Sequence, residues 1–223
     1  MNYEDAMEEL KALGSEQTRK TYRRHGVEGD LYGVSYAALG ALKKRIKVDQ
    51  VLAERLWESG NHDARLLATM VGDPSLVKAA VLDRWAKELS NYPITDAFAG
   101  FAARTPYARG RMEKWSKSGA EMVGRAGWLV LARLAASDAE LDDSYFETFL
   151  ETIERDIHSR KNRVKDAMNS ALIAIGLRSP GLQKKALASA KRIGKVEVDH
   201  GETNCKTPDA SDYILKAAGR RAK

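Results

Sequence analysis

The sequence predicts an all-α chain built as an α-solenoid, a stack of short helix pairs. Three observations lead there. From residue 1 to about residue 195, nearly every stretch reads as a short amphipathic helix followed by a break, and no run alternates as a strand would. The helices fall into pairs of roughly 40 residues, a period typical of helical repeats. Ala, Leu, Lys, Arg and Glu dominate, and these are strong helix formers, whereas there are five prolines and four phenylalanines.

The elements follow in order. Residues 3–13 form a first helix that Gly14 ends, and Ser15 caps a second over 16–24. HGVEGDLY, residues 25–32, is a loop with two glycines. Ser35 opens a third helix with Ala38, Leu39, Leu42 and Ile46 on one face. A fourth covers 48–59, and Asn61 or His62 caps a fifth that Gly72-Asp73-Pro74 stops. Pro74 and Ser75 are expected to start a helix to about residue 89, burying Leu76, Ala80, Val81 and Trp85. Helices over 93–103, 106–117, 120–135, 143–158, 161–176 and 180–193 follow. Prolines 74, 93, 106 and 180 are placed at helix starts, where a missing N–H costs nothing. The tail 195–210 is not periodic; Thr207-Pro208 reads as a cap before a last helix over 209–218, with residues 219–223 expected to fray. No linker divides the chain, so residues 1–223 read as a single repeat domain with 195–223 as a C-terminal extension packed on it.

Charge narrows the partner. The net charge is +6 over 223 residues. From Arg155 to Lys195 eleven Lys or Arg face two Asp, whereas the first ten residues carry four acids and no base. Such a patch is either a solvated helical face or a salt-sensitive binder of a polyanion, with nucleic acid the first candidate. The single cysteine, Cys205, excludes an intrachain disulfide framework and fits a reducing cytosol. No apolar run approaches the roughly 20 residues that span a bilayer, and MNYEDAMEEL lacks the pattern of a signal peptide. A soluble, cytoplasmic monomer that does not touch membrane is expected.

Three groups of residues could carry chemistry. In NYPITDAFAG, Pro93 begins a helix that sets Tyr92 and Asp96 one turn apart. A ring beside a carboxylate is a cation site; the plainer alternative has Asp96 complementing the helix dipole while Tyr92 packs. In EMVGRAGWLVL, Arg125 interrupts an apolar helix and needs a partner, either a phosphate or Asp96, unless it snorkels to solvent. Arg155, Arg160, Lys161, Arg163 and Lys165 crowd one helix–helix corner, where a helix N-terminus offers free N–H groups to phosphate. Trp57 and Trp115 fall on apolar faces and read as core. Asp199, His200, Glu202, Cys205 and Asp209 have ligand chemistry but no zinc spacing, so no metal and no cofactor are expected. Motifs for nucleotide hydrolysis, serine hydrolysis and zinc proteolysis are missing.

Four stretches together carry a resemblance: LYGVSYAALGALKKRI (31–46), LAERLWESGNHDARLLATMV (52–71), NYPITDAFAG (91–100) and EMVGRAGWLVL (121–131). The chain resembles the AlkD-like DNA alkylation repair proteins over about residues 1–190. That resemblance implies a fold of HEAT-like repeats and a monofunctional DNA glycosylase that excises cationic N3- and N7-alkylated purines without flipping them into a pocket. It also implies alkylated double-stranded DNA as partner, with Asp96 and Arg125 in the catalytic positions and sharing one cleft. A cationic purine leaves readily, so a carboxylate that stabilises the developing oxocarbenium charge and aligns a water suffices. Tyr92 stands where the family has Trp, and Ser170 where a second Trp is expected. Those departures leave open a non-catalytic binder of damaged or branched DNA. A HEAT-like adaptor that binds protein is the alternative from another class.

Overall fold

The computed structural model describes residues 1–221. It holds thirteen α-helices and one 3-10 turn, with no strand among the described residues. The helices are α1 (Tyr3–Leu13), α2 (Glu16–Arg24), α3 (Tyr36–Ile46), α4 (Gln50–Glu58), α5 (His62–Val71), α6 (Ala79–Lys87), α7 (Tyr92–Ala102), α8 (Ala108–Trp115), α9 (Glu121–Ser137), α10 (Asp143–Asp156), α11 (Asn162–Gly176), α12 (Pro180–Ile193) and α13 (Ala210–Arg221). Of the stretch expected to fray, residues 219–221 continue α13, and 222–223 lie outside the described residues.

Side-chain caps set most starts. The hydroxyls of Ser15, Ser35 and Ser179, the carboxylate of Asp49 and the carboxamides of Asn61 and Asn91 each accept an N–H from the first turn that follows. Pro93 and Pro180 sit inside the first turns of α7 and α12. Pro74 and Pro106 instead lie in turns. The Asp73 carboxylate accepts both the backbone N–H (2.8 Å) and the hydroxyl (2.6 Å) of Ser75, closing a local turn that delays α6 to residue 79. This shifts the buried face. Leu76 is 66% exposed, while Leu82, Trp85 and Ala86 are buried. At the other end of the chain, Asp209 rather than Thr207 receives the first-turn N–H, that of Asp212 (2.9 Å).

The chain divides into two compact units, residues 1–108 with 201–203, and residues 109–200 with 204–223. In the first, α5 packs against α3, α4 and α7. Its core is aromatic. Trp57 and Trp85 stack with centroids 4.3 Å apart and planes 7° apart, and Phe98 and Phe101 pack around them. The buried indole N–H of Trp57 donates to Glu88 (2.7 Å), which also holds Arg65 (3.0 Å). In the second unit α11 is central, packed against α9, α10, α12 and α13. Two sites show why glycine is needed. A side chain at Gly127 of α9 would meet the Ser116 backbone nitrogen at 2.2 Å, so only glycine lets the end of α8 lie that close. Gly33 has φ +80° and would strike the Ser15 carbonyl at 2.6 Å.

The tail is tied to α11. The Asn162 carboxamide donates to the Asp199 carbonyl (2.7 Å) and accepts its N–H (2.8 Å), and Asn169 donates to the Pro208 carbonyl (3.0 Å). No described helix is long and apolar enough to cross a membrane.

Candidate nucleic-acid interface

In the first unit, the start of α7 is built by its cap. Asn91 accepts the Ile94 N–H (3.1 Å), and the Thr95 hydroxyl donates back to the Asn91 carbonyl (2.7 Å). Tyr92 and Asp96 are therefore held one turn apart, as the sequence predicts, and both side chains are partly exposed. The Tyr92 hydroxyl is hydrogen-bonded to Nδ1 of His25, with the rings edge-on at 5.7 Å between centroids. Tyr36, at the first residue of α3, comes under the field of Asp96 as well. Tyr36 is 51% exposed, and partial loss of water around its phenol, with the Asp96 and Asp63 carboxylates, raises its pKa.

A buried carboxylate sets this geometry. Asp63, fully buried in the first turn of α5, accepts the backbone N–H groups of Tyr32 (2.6 Å), Gly33 (3.0 Å) and Val34 (2.8 Å). Three charge-assisted bonds fix the segment that leads into Tyr36. Tyr22 donates its hydroxyl to the Val34 carbonyl (2.9 Å) and meets the His62 ring edge-on at 4.9 Å. Burial pushes the His62 imidazole down to about 4, so it is neutral, and its Nε2 has no hydrogen-bond partner among the described residues. Sequence reasoning missed Tyr22, His25, Tyr36 and Asp63. The signals were present: HGVEGDLYGV packs three glycines and a histidine into one loop, and Asp63 follows an Asn cap.

In the second unit, Arg125 is 4% exposed. Its Nη1 donates to the Asp166 carboxylate at 2.7 Å and to the Arg163 carbonyl at 3.0 Å. The basic corner is largely engaged within the protein. Arg155 forms a two-point pair with Asp156 (2.7 and 2.9 Å). Arg160 donates to the Ser116 and Ser118 carbonyls (3.0 and 3.2 Å). At the start of α11, the Arg163 N–H donates to Glu121 at 2.6 Å, so a protein carboxylate takes one of the N–H groups expected for phosphate. Lys161 is exposed and Lys165 half-buried. Ser170 bonds the Asp166 carbonyl (3.0 Å) and lines a cavity of about 720 Å³ beside Ala136, Ala174, Arg178 and Tyr213. Trp57 and Trp115 are core residues, 0% and 2% exposed.

Comparison with known proteins decides the family. The DNA alkylation repair enzyme family matches residues 6–214. The chain belongs to that family. An uncharacterized protein of Listeria innocua is 31% identical to this chain and one of Listeria monocytogenes 30% identical, each over 95% of both chains. A solved structure described as a new family of proteins related to the HEAT-like repeat DNA glycosylases, with affinity for branched DNA structures, is similar at a TM-score of 0.91. It is 32% identical and covers 99% of this chain, which spans 95% of it. The helices are thus the HEAT-like repeats that the sequence predicts. In this alkylation repair chain the family-implied residues are divided between the units: Tyr92 and Asp96 stand in the first, Arg125 and Ser170 in the second.

Proposed function

We propose that this chain is a DNA-binding member of the alkylation repair family that prefers branched or distorted DNA and has little or no excision activity. The commitment of Arg125 carries this reading. Its charge is matched in place by Asp166, at 2.7 Å in a nearly solvent-free setting. A guanidinium so placed links α9 to α11 and is poorly available to a phosphate. Ser170, where the resemblance expects Trp, supplies no aromatic wall. The solved relative with affinity for branched DNA supports the same choice of ligand.

One observation favours the excision reading. Asp96 is kept, partly exposed, on the turn that carries Tyr92, and its field reaches Tyr36. A carboxylate among phenol rings would stabilise an oxocarbenium sugar, and the cationic 3-methyl or 7-methyl purine would need no acid to leave.

Fluorescence anisotropy on a four-way junction and a linear duplex of matched length, together with 7-methylguanine release from methylated duplex, separates the readings. We expect the junction to bind at least about tenfold tighter, a difference of about 1.4 kcal/mol, with base release at background. Equal affinities, with base release that Asp96→Asn abolishes in a folded protein, would replace this reading with the glycosylase.

A further inference from the structure

We infer that α2 forms a second phosphate-binding surface, a cationic ridge that leads a DNA strand to Tyr92 and Asp96. The inference rests on the DNA-binding reading above and adds the contact surface.

Helix α2, EQTRKTYRR, carries four cations and one carboxylate in nine residues. Two of the cations are anchored. Arg19 bonds Glu16 (2.9 Å) and the Tyr32 carbonyl (3.3 Å), and Arg23 bonds the Val27 and Gly29 carbonyls (both 2.8 Å). The other two, Lys20 and Arg24, are exposed, and their side chains make no hydrogen bond or ion pair with any described residue. They stand one turn apart on the same side of the helix, where like charges repel. Glu16, Arg19, Lys20, Arg23 and Arg24 wall a groove of about 460 Å³. Long stems form such walls while the charged heads stay at the rim.

The helix dipole accounts for only part of this. A dipole favours cations in the last turn, which explains Arg23 and Arg24. The effect fades within that turn, so Arg19 and Lys20 are left over. Two anchored guanidinium groups beside two exposed cations match a line of phosphates. The anchored pair sets position, and the exposed pair neutralises charge at little cost in internal contacts. The ridge also has a direction. His25 follows Arg24 directly and bonds Tyr92, so the end of α2 meets the start of α7, with Asp96 one turn further on.

The test is the salt dependence of four-way-junction and duplex binding for wild type, Lys20→Ala/Arg24→Ala and a control, Lys184→Ala/Lys191→Ala. The control removes two exposed lysines from α12. Each phosphate contact contributes about 0.9 to the slope of log affinity against log salt. Loss of Lys20 and Arg24 should therefore flatten that slope by about 1.8 and weaken binding at low salt by tenfold or more. The control should change neither. Lys20→Gln/Arg24→Gln, with circular dichroism, shows whether a loss reflects charge or folding. Wild-type binding with an unchanged slope in the α2 variant overturns the ridge alone. An equal effect in the control makes net charge the cause and also overturns it. A wild type that binds neither DNA at low salt removes the ridge and the DNA-binding reading together.

Discussion

The basic corner around α11 and the basic helix α2 use the same residue types to opposite ends. In the corner, Arg155 closes on Asp156, Arg160 on two carbonyls and Arg125 on Asp166. On α2, the side chains of Lys20 and Arg24 project from the surface with no bond to a described residue. The corner carries five Lys or Arg between Arg155 and Lys165, and α2 carries four. Availability for a polyanion depends on what already surrounds each cation, and for Arg125 and Arg160 that surrounding comes from residues distant in sequence. A count of basic residues along the chain does not show which of those cations are already engaged.

The largest predicted effect belongs to the buried Arg125–Asp166 pair. Arg125→Ala leaves the Asp166 carboxylate, 18% exposed, without its ion pair. Loss of one partner of such a buried pair costs about 3–5 kcal/mol. Urea unfolding of Arg125→Ala should show that loss; a change below about 1 kcal/mol, the range of exposed pairs, would break the comparison.

In the first unit, His62 is buried as a neutral imidazole. His62 is held down to about 4, mainly by burial. Unfolded, its imidazole takes a proton near its ordinary value of about 6.5. Between those two values the unfolded state binds more protons, so the contribution of His62 is full above about 6.5 and is lost as pH falls toward 4. The loss across that window is on the order of 3 kcal/mol. His62→Leu should reduce the decline in stability between pH 7 and pH 4.5, measured by urea midpoint against wild type. Parallel declines in the two proteins would show that His62 is not the group responsible.

The smallest effect belongs to the corner's remaining lysines. Lys161→Ala/Lys165→Ala should weaken DNA binding only a few-fold, by under about 1 kcal/mol, and equally for every sequence. Loss confined to particular sequences would contradict a backbone contact.

Much of the fold was legible because its determinants are local. Ser15, Ser35 and Asn61 announce their helices with a side chain that bonds two or three residues ahead. The miss at α6 shows the limit. Pro74 permits a helix start, but the Asp73 carboxylate diverts the backbone into a turn, and the later start rotates Leu82 inward and Leu76 outward. The spacing of Tyr92 and Asp96 was legible for the same local reason. Their neighbourhood was not. His25 and Tyr92 are 67 positions apart, and Arg125 and Asp166 are 41 apart. Pairing at such range follows from how the helices stack, which periodicity alone does not determine. Glu121 at the α11 N-terminus is a further instance, because it lies 42 positions from the N–H it accepts.

The most direct test of Arg125 as an internal cation is the double replacement Arg125→Met with Asp166→Leu, assayed for junction affinity per folded molecule. Replacing a buried ion pair with apolar side chains of similar size is often close to neutral for stability, so the variant should fold. We predict an affinity within about twofold of wild type, under 0.5 kcal/mol. A folded double variant that binds the junction tenfold or more weakly would contradict the account, because Arg125 would then be gripping DNA.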